Sequence, residues 1–401
     1  MEELNSLLNN AVESIYPEVR ELQESIHSEP ELSNEENRTR EKVKTFLKDT
    51  KVEVRECERS TGLICDLKVG EKLPIIAFRG DMDALSIGEK TDLPYLSTFK
   101  NAMHACGHDF HTTILAGSAK LMSFLSERLK ANVRFIFQPA EENNPEGGAK
   151  RMIEEGALSG CSAIFGLHLW PELNTGQIGL KRGPLFAASD KIKIKITGKS
   201  AHAAKPEAGT DAVVIAGHII VAMQTAISRG ISPFDEAVVT IGRMEGGTRY
   251  NIIAEEADLY GTVRNTSPTV REALRKRLAS IVKNTADMFG GSAELDYAEG
   301  FPVLVNNSDL YSFASEEVQG LEELGIKGMK MEHSSMVAED FSYYALEIPG
   351  FFMLLGSTAP GTDKKEVFPL HSPYFRADQE CIKRGLSTFA KLAMDGDRIP
   401  V

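Results

Sequence analysis

The segment NAMHACGHDFH, residues 101–111, concentrates side chains that can bind a metal or take part in catalysis. It holds three of the chain's nine histidines and one of its five cysteines. Cys106 and His108 are separated by one glycine, which allows a looped backbone to turn both side chains the same way. Asp109 suits the N-cap of a helix beginning near Phe110. Sulfur with imidazole is typical of a transition-metal site, and a nucleophilic Cys–His pair is the alternative.

Two adjacent glutamates, Glu141 and Glu142, follow the apolar run VRFIFQ at residues 133–138. Neighbouring carboxylates repel each other, and a bound cation relieves that repulsion. One carboxylate could bind a metal while the other accepts a proton from water. The pair therefore favours the metal interpretation over the nucleophilic one.

Two further histidines extend the set of candidate ligands. His168 comes directly after the apolar run SAIFGL, and His371 lies between two prolines in FPLHSPYF. A catalytic zinc normally has three protein ligands and an open position, so five donors divide better between two metals with a bridging water. The five candidate donors are Cys106, His108, Glu142, His168 and His371.

The candidate residues follow short apolar segments, each of which predicts a strand. PIIAF (74–78) leads into RGDMD, VRFIFQ (133–138) into PAEE, and SAIFGL (162–167) into His168. Continuous apolar runs of this length are typical of strands buried on both faces of a parallel sheet. Functional sites of open α/β sheets lie beyond the carboxyl ends of the strands, so these residues are expected to meet there.

Residues 188–300 have a different predicted order of strands and helices from the rest of the chain. The order β-α-β-β-α-β is that of a ferredoxin-like domain. The predicted elements are strands at 190–197, 237–244, 256–264 and 292–297, with helices at 211–228 and 267–289. The predicted fold class is α/β. Residues 1–187 and 301–401 form a catalytic domain with a mostly parallel central sheet flanked by helices, and residues 188–300 form an inserted α+β domain.

Composition limits the partners that the protein can have. The net charge of −13 argues against nucleic acid and against an anionic membrane as the main partner. The amino terminus lacks the features of a signal peptide, and no apolar run approaches the length of a membrane span. Five sparse cysteines are typical of reduced thiols, which predicts a cytoplasmic location.

Eight motifs, taken in order, resemble the M20 metallopeptidase family. They are RGDMDAL, MHACGHDFH, FQPAEE, GLHLWP, GKSAHAAKP, YNIIAEEADLYGTVR, AEDFSYY and HSPYF. The branch that they resemble contains amidohydrolases acting on N-acyl amino acids, such as hippurate hydrolases, auxin-conjugate hydrolases and acetyl-diaminopimelate deacetylases. The N-terminal IHSEPELSNEE also matches this branch. Many other relatives carry His-x-Asp where this chain has Asp81-Met82-Asp83, and in this branch Cys106 supplies a donor instead.

The resemblance implies a dinuclear metal site whose ligands are the five donors named above, with Glu141 as general base. The metals would be zinc, manganese, cobalt or nickel. His202 matches a histidine that reaches substrate, often in the partner subunit's site, and Asn251 and Arg264 match positions that contact the substrate's carbonyl and carboxylate. The inserted domain would act as lid and as the surface that forms a homodimer.

The expected activity is hydrolysis of the amide bond of N-acyl amino acids, which are small molecules, by metal-activated water with Glu141 as base. A metallocarboxypeptidase or dipeptidase acting on short peptides would use the same residues. A metal-dependent binding protein without catalysis is a further alternative, because related folds can lose their chemistry.

Overall fold

The computed structural model describes residues 2–399, and they divide into two compact units. The first unit contains the described residues up to Gly183, Val305–His333, and those from Asp340 onward. The second unit contains Pro184–Leu304 and the short segment Ser334–Glu339.

The described residues form nine α-helices and sixteen strands. The helices are α1 Glu2–Ser28, α2 Asn37–Leu47, α3 His108–Phe124, α4 Ala149–Glu154, α5 Ala212–Ser228, α6 Pro268–Met288, α7 Ser308–Gln319, α8 Phe341–Glu347 and α9 Cys381–Met394. The strands are β1 Glu53–Glu56, β2 Leu63–Leu67, β3 Ile75–Asp81, β4 Asn132–Gln138, β5 Cys161–Asn174, β6 Gln177–Leu180, β7 Gly183–Phe186, β8 Ala188–Thr197, β9 Ala201–His202, β10 Ala237–Gly246, β11 Ile252–Ile253, β12 Glu256–Asn265, β13 Ser292–Ala298, β14 Leu304–Asn306, β15 Lys327–Lys330 and β16 Gly350–Thr358.

The first unit is built on an eight-stranded sheet with the order β1-β2-β4-β3-β5-β16-β6-β15. Its four central strands, β4-β3-β5-β16, are all parallel to one another. Three pairs outside this centre are antiparallel: β1 with β2, β2 with β4, and β6 with β16. Helix α3 packs on β3 and β4, α9 packs on β16, and α8 packs on β5 and β16. The predicted mostly parallel sheet flanked by helices is confirmed.

Aromatic side chains from the central strands fix the sheet against helix α9. The ring of Phe78 in β3 lies 4.6 Å from Phe389 of α9, 5.7 Å from Phe165 of β5 and 6.4 Å from Phe135 of β4, measured between centroids. All four side chains are buried. Burial of one such side chain contributes about 1.5–3 kcal/mol, so this cluster holds the three strands against α9.

The second unit has a four-stranded antiparallel sheet with the order β10-β12-β8-β13, and helices α5 and α6 pack on it. Along β8, Ile192, Ile194 and Ile196 are buried while the lysines between them are exposed. This alternation gives the sheet one apolar face, which the two helices cover. The chain order β8-α5-β10-β12-α6-β13 is that of a ferredoxin-like fold.

No helix within residues 2–399 combines the length and the apolar character that crossing a membrane requires.

Candidate metal centre

The five candidate donors and Glu141 all lie in the first unit, around the carboxyl ends of its parallel strands. Cys106 lies in the turn before α3, and His108 is the first residue of that helix. The two glutamates follow β4, His168 lies in β5, and His371 lies in the loop between β16 and α9. Residues that are up to 265 positions apart in sequence therefore share one neighbourhood.

Ligand atoms of these residues form three overlapping clusters. The atoms within each cluster lie within 4.8 Å of one another, and the clusters are Cys106 with His108 and His168, Cys106 with Glu142 and His371, and His108 with Glu141 and Glu142. The Cys106 Sγ atom is 3.4 Å from Nε2 of His168 and 3.2 Å from Nε2 of His371. The latter nitrogen is 3.1 Å from a carboxylate oxygen of Glu142. The structure thus brings together every donor that the sequence predicts.

The start of helix α3 directs Cys106 and His108 into the site. Gly107 is the N-cap, with a φ of 82° in the left-handed region, and a Cβ atom there would lie 2.7 Å from the Leu169 side chain. The prediction that Asp109 caps a helix beginning near Phe110 was wrong. The helix begins two residues earlier, and the Asp109 carboxylate is buried in its first turn, where it accepts hydrogen bonds from α1.

Strand β5 is longer than predicted, so His168 lies inside it rather than after it. The prediction that the strand ends at residue 167 was wrong, because β16 pairs with β5 as far as Asn174. The Nδ1–H group of His168 donates to the carbonyl oxygen of Leu169 at 2.8 Å. This bond fixes the ring so that Nε2 faces Cys106.

The electrostatics around His108 favour a positive charge. Its Nδ1 atom lies 3.3 Å from Asp83, while its buried Nε2 atom has no hydrogen-bond partner among the described residues. Burial alone would lower the pKa of His108, but the negative charges of Asp81 and Asp83 outweigh it and raise this pKa to about 10. The negative charges that favour a proton on His108 would equally favour a divalent cation bound at Nε2.

The surroundings of Cys106 and His168 shift the pKa values of both side chains. Burial, followed by the charges of Glu142 and Glu141, raises the pKa of the Cys106 thiol well above its ordinary value. A nucleophilic cysteine and a metal-bound cysteine are both thiolates, so in these acidic surroundings a bound cation would be needed to lower this pKa. Burial, followed by the nearby His111, lowers the pKa of His168 well below its ordinary value, so its Nε2 lone pair is available. A mixed sulfur, nitrogen and carboxylate set with excess negative charge fits divalent transition metals.

The loop that carries His371 holds this residue in an unusual backbone conformation. Its φ is 64°, in the left-handed region where a residue with a side chain is strained. The His371 amide donates to the carbonyl oxygen of Ala105 at 2.8 Å, which ties the loop to the turn containing Cys106. The side chain is 52% exposed, so it lies on the solvent side of the cluster.

Helix α3 also contributes His111, to which none of the sequence motifs assigned a role. The Nδ1–H group of His111 donates to Asp81 at 2.7 Å, and its Nε2 accepts the amide of Leu169 at 2.9 Å. Its ring lies 4.5 Å from that of His168. The spacing between His108 and His111 could have indicated this contact, because side chains three positions apart lie on the same face of a helix.

The three predicted substrate residues lie in the second unit. His202 is exposed in β9, where its Nδ1 accepts the amide of Ala204. Asn251 precedes β11, the strand that pairs with β9, so these two residues are neighbours. Arg264 lies in β12 and donates to the carbonyl oxygen of Met336 at 3.3 Å. Their roles toward substrate stay predictions.

Comparisons with known proteins place the chain in a family. The sequence profile of peptidase family M20/M25/M40 matches residues 77–395. An N-acetylcysteine deacetylase of Bacillus subtilis is 38% identical over 374 residues, which cover 93% of this chain and 95% of that protein. The IAA-amino acid hydrolase ILR1-like 4 of Arabidopsis thaliana is 37% identical over 372 residues, which cover 92% of this chain and 83% of that protein.

The solved structure of the Bacillus subtilis YXEP protein, described as a dinuclear metal binding peptidase from the M20 family, is also similar. It shares 35% identity and a TM-score of 0.84, covering 97% of this chain and 100% of that one. The family profile spans most of the chain, and the similarity to these relatives extends over nearly all of it. The chain therefore belongs to peptidase family M20/M25/M40, within its amidohydrolase branch, and is a hydrolase.

Proposed function

We propose that the protein hydrolyses the amide bond that joins an acyl group to an amino acid. The observation that carries this proposal is the set of three overlapping donor clusters, one of which contains Glu141 beside Glu142. Five donors, with Cys106 common to two clusters, suit two divalent cations better than one. The relatives named as a deacetylase and an amino acid hydrolase act on bonds of this kind, which supports the same chemistry here.

The residues present divide the work of amide hydrolysis among them. The five donors would hold divalent cations, which when bound would supply Lewis-acid activation of water and of the amide carbonyl. Glu141, a buried carboxylate beside the donors, takes the proton of the attacking water and returns it to the leaving amine. The leaving nitrogen then departs as an uncharged amino group because it has gained that proton.

The second unit supplies the proposed contacts to the substrate. His202 stabilises the negative charge that develops on the carbonyl oxygen, and Asn251 contacts the same carbonyl group. The Arg264 guanidinium binds the free carboxylate of the amino acid through charge-assisted hydrogen bonds. The substrate that these three roles would suit is a small N-acyl amino acid.

We also propose that the protein is a homodimer formed through residues 188–300. Strand β10 is an edge of the four-stranded sheet, and helix α5 exposes Val214 and Val221. An unpaired edge and exposed apolar side chains on one unit are features that a second copy of the chain would cover. Light scattering tests this proposal, and a monomer would contradict it.

Metal reconstitution tests the proposed activity directly. Protein stripped with a chelator is loaded separately with zinc, manganese, cobalt or nickel and assayed on a panel of N-acetyl amino acids and dipeptides. The proposal expects turnover of the N-acetyl amino acids with at least one metal. Faster cleavage of the dipeptides would assign a dipeptidase or carboxypeptidase activity instead. Absence of turnover with all four metals would indicate a binding protein without catalysis.

A further inference from the structure

The turn that carries Glu141 and Glu142 is held in a strained conformation by groups outside the donor clusters. Ala140, the residue before them, has a φ of 57° in the left-handed region. A residue with a side chain keeps such a conformation only when its surroundings hold it there. Ala140 directly precedes Glu141, so its backbone conformation affects where the Glu141 side chain lies.

A buried glutamate far away in sequence supplies the contact that Ala140 needs. The Glu36 Oε1 atom accepts the Ala140 amide at 2.9 Å and the Asn34 amide at 2.9 Å. Its other oxygen accepts the hydroxyl of Thr61. Glu36 is fully buried, so water does not compete for these bonds.

A second carboxylate continues the same arrangement along the turn. Asp83 accepts the Glu141 amide at 3.1 Å with one oxygen and the Glu142 amide at 3.0 Å with the other. It also accepts the hydroxyl of Ser33 at 2.6 Å. Three consecutive amides therefore donate to buried carboxylates, and the segment ELSNEE, residues 31–36, contributes to both.

The buried Glu36 side chain does not stabilise helix α2. Glu36 is the N-cap of α2, yet its side chain makes no capping bond to that helix. Glu31 provides the cap instead, because its carboxylate accepts the amides of Arg38 at 3.1 Å and Thr39 at 2.8 Å. The buried carboxylate of Glu36 is therefore directed to the turn after β4.

We infer that Glu36 is a positioning residue for Glu141, which holds Ala140 in the left-handed conformation and so directs the general base toward the donor clusters. This inference rests on the proposed function, in which Glu141 moves the proton. Asp83 holds the amides of both Glu141 and Glu142, so the loss of Glu36 should loosen the turn most at Ala140, next to the base, and least at the ligand Glu142.

The test compares Glu36→Ala, Glu36→Gln and the matched control Glu35→Ala, an exposed glutamate of the same segment. In Glu36→Ala, kcat should fall by about ten- to a hundredfold with KM and metal per chain nearly unchanged, because misplacement of a reacting group costs this much. Glu36→Gln should restore most of kcat, since its amide oxygen still accepts from Ala140. The Glu35→Ala variant should behave like the wild type.

A rescue experiment separates positioning from a general loss of stability. Glycine adopts a positive φ without strain, so adding Ala140→Gly to Glu36→Ala should recover part of the lost kcat. If Glu36→Ala does not fold, Glu36→Asp serves in its place, because the shorter side chain withdraws its oxygens from Ala140 while remaining a carboxylate.

Hydrogen exchange provides a measurement that needs no substrate. The peptide that contains residues 139–148 should exchange faster in Glu36→Ala than in the wild type, and Glu36→Gln should return it to the wild-type rate. Unchanged exchange and unchanged kcat in Glu36→Ala would overturn the inference, as would an equal loss of kcat in the alanine and glutamine variants. If the wild type hydrolyses no N-acyl amino acid, the proposed function fails, and the exchange rates still decide whether Glu36 holds the turn.

Discussion

At the residue scale, two adjacent carboxylates occupy different surroundings. Glu141 is buried, whereas the Glu142 side chain is 15% exposed and lies beside His371. Sequence alone indicates that one of the pair binds metal and the other moves a proton, but it does not indicate which. The assignment of Glu141 as base follows from the family motif, and the contact of Glu142 with Cys106 and His371 agrees with a ligand role.

Replacing Glu141 with glutamine should separate catalysis from metal binding. The variant removes the proton acceptor but preserves the shape of the side chain, so metal per chain should stay at the wild-type value. Turnover should fall by about 10²- to 10⁴-fold, the usual contribution of a general base. Steady-state kinetics and elemental analysis measure both quantities. Glu142→Gln is the control, since it should lose metal as well, and near-normal turnover in Glu141→Gln would refute the assigned role.

Replacing Cys106 with alanine should lower the metal content, because this residue belongs to two of the three donor clusters. The matched control is Cys65→Ala, which removes a buried thiol from strand β2, away from the donor clusters. Elemental analysis of both variants, purified in parallel, gives metal ions per chain. Equal metal content in the two variants would remove Cys106 from the ligand set.

At the element scale, the turn between β4 and α4 is fixed at its far end as well. One Asp340 oxygen accepts the amides of Gly148 at 2.9 Å and Ala149 at 3.0 Å, and the other is paired with the buried Arg79 at 2.7 Å. The segment 139–148 thus closes on itself, and a Cβ atom at Gly148 would lie 1.7 Å from the carbonyl oxygen of Pro139. Glycine is required there by the close approach of two backbone segments.

The Gly148→Ala variant should therefore be strongly destabilised. The added methyl group must displace backbone rather than a side chain, so we expect a loss of about 1–3 kcal/mol or more in unfolding free energy. Gly217→Ala is the control, because its Cβ would meet nothing within 4 Å and it lies inside helix α5, where alanine is favoured. Thermal denaturation should show a lower Tm for the first variant and an equal or higher Tm for the second.

The elements themselves were largely predictable, and the errors have identifiable physical causes. Apolar runs predicted β3, β4 and the first half of β5 because a strand buried on both faces needs apolar residues throughout. The length of β5 was not predictable, since its last residues are stabilised by pairing with β16, which is distant in sequence. The contacts of Glu36 and Asp83 could not be predicted either. Their partners are backbone amides, which leave no mark in the sequence.

At the scale of the whole molecule, one buried histidine joins the N-terminal helix to the rest of the first unit. His27 of α1 lies 2.7 Å from Asp109 of α3 and 3.2 Å from Glu89 in the long loop after β3. The rings of Tyr95 and His27 pack edge to face, and the ring centroid of the buried His104 lies 6.3 Å from that of His27. Helix α1 is thus attached to the rest of the unit through ion pairs of His27 with Asp109 and Glu89.

This attachment should make stability depend on pH in the alkaline range. Burial lowers the pKa of His27, but the charge and hydrogen bond of Asp109, with those of Glu89, outweigh burial and raise this pKa to about 9. Since the folded-state pKa lies above the ordinary value of 6.5, the contribution is fully present below pH 6.5 and is lost as pH rises through 9. Burial lowers the pKa of His104 to about 4 and raises that of Tyr95, so neither titrates in this interval.

Denaturant unfolding of the wild type and His27→Gln at pH 6.5 and 9.5 measures this contribution. The raised pKa of His27 corresponds to about 3 kcal/mol, which the wild type should lose between these two values of pH and the variant should not. Groups elsewhere in the chain titrate equally in both proteins, so their effect cancels in the difference. Equal losses in the two proteins would mean that His27 is already neutral in the folded state, with Asp109 and Glu89 balanced by other groups.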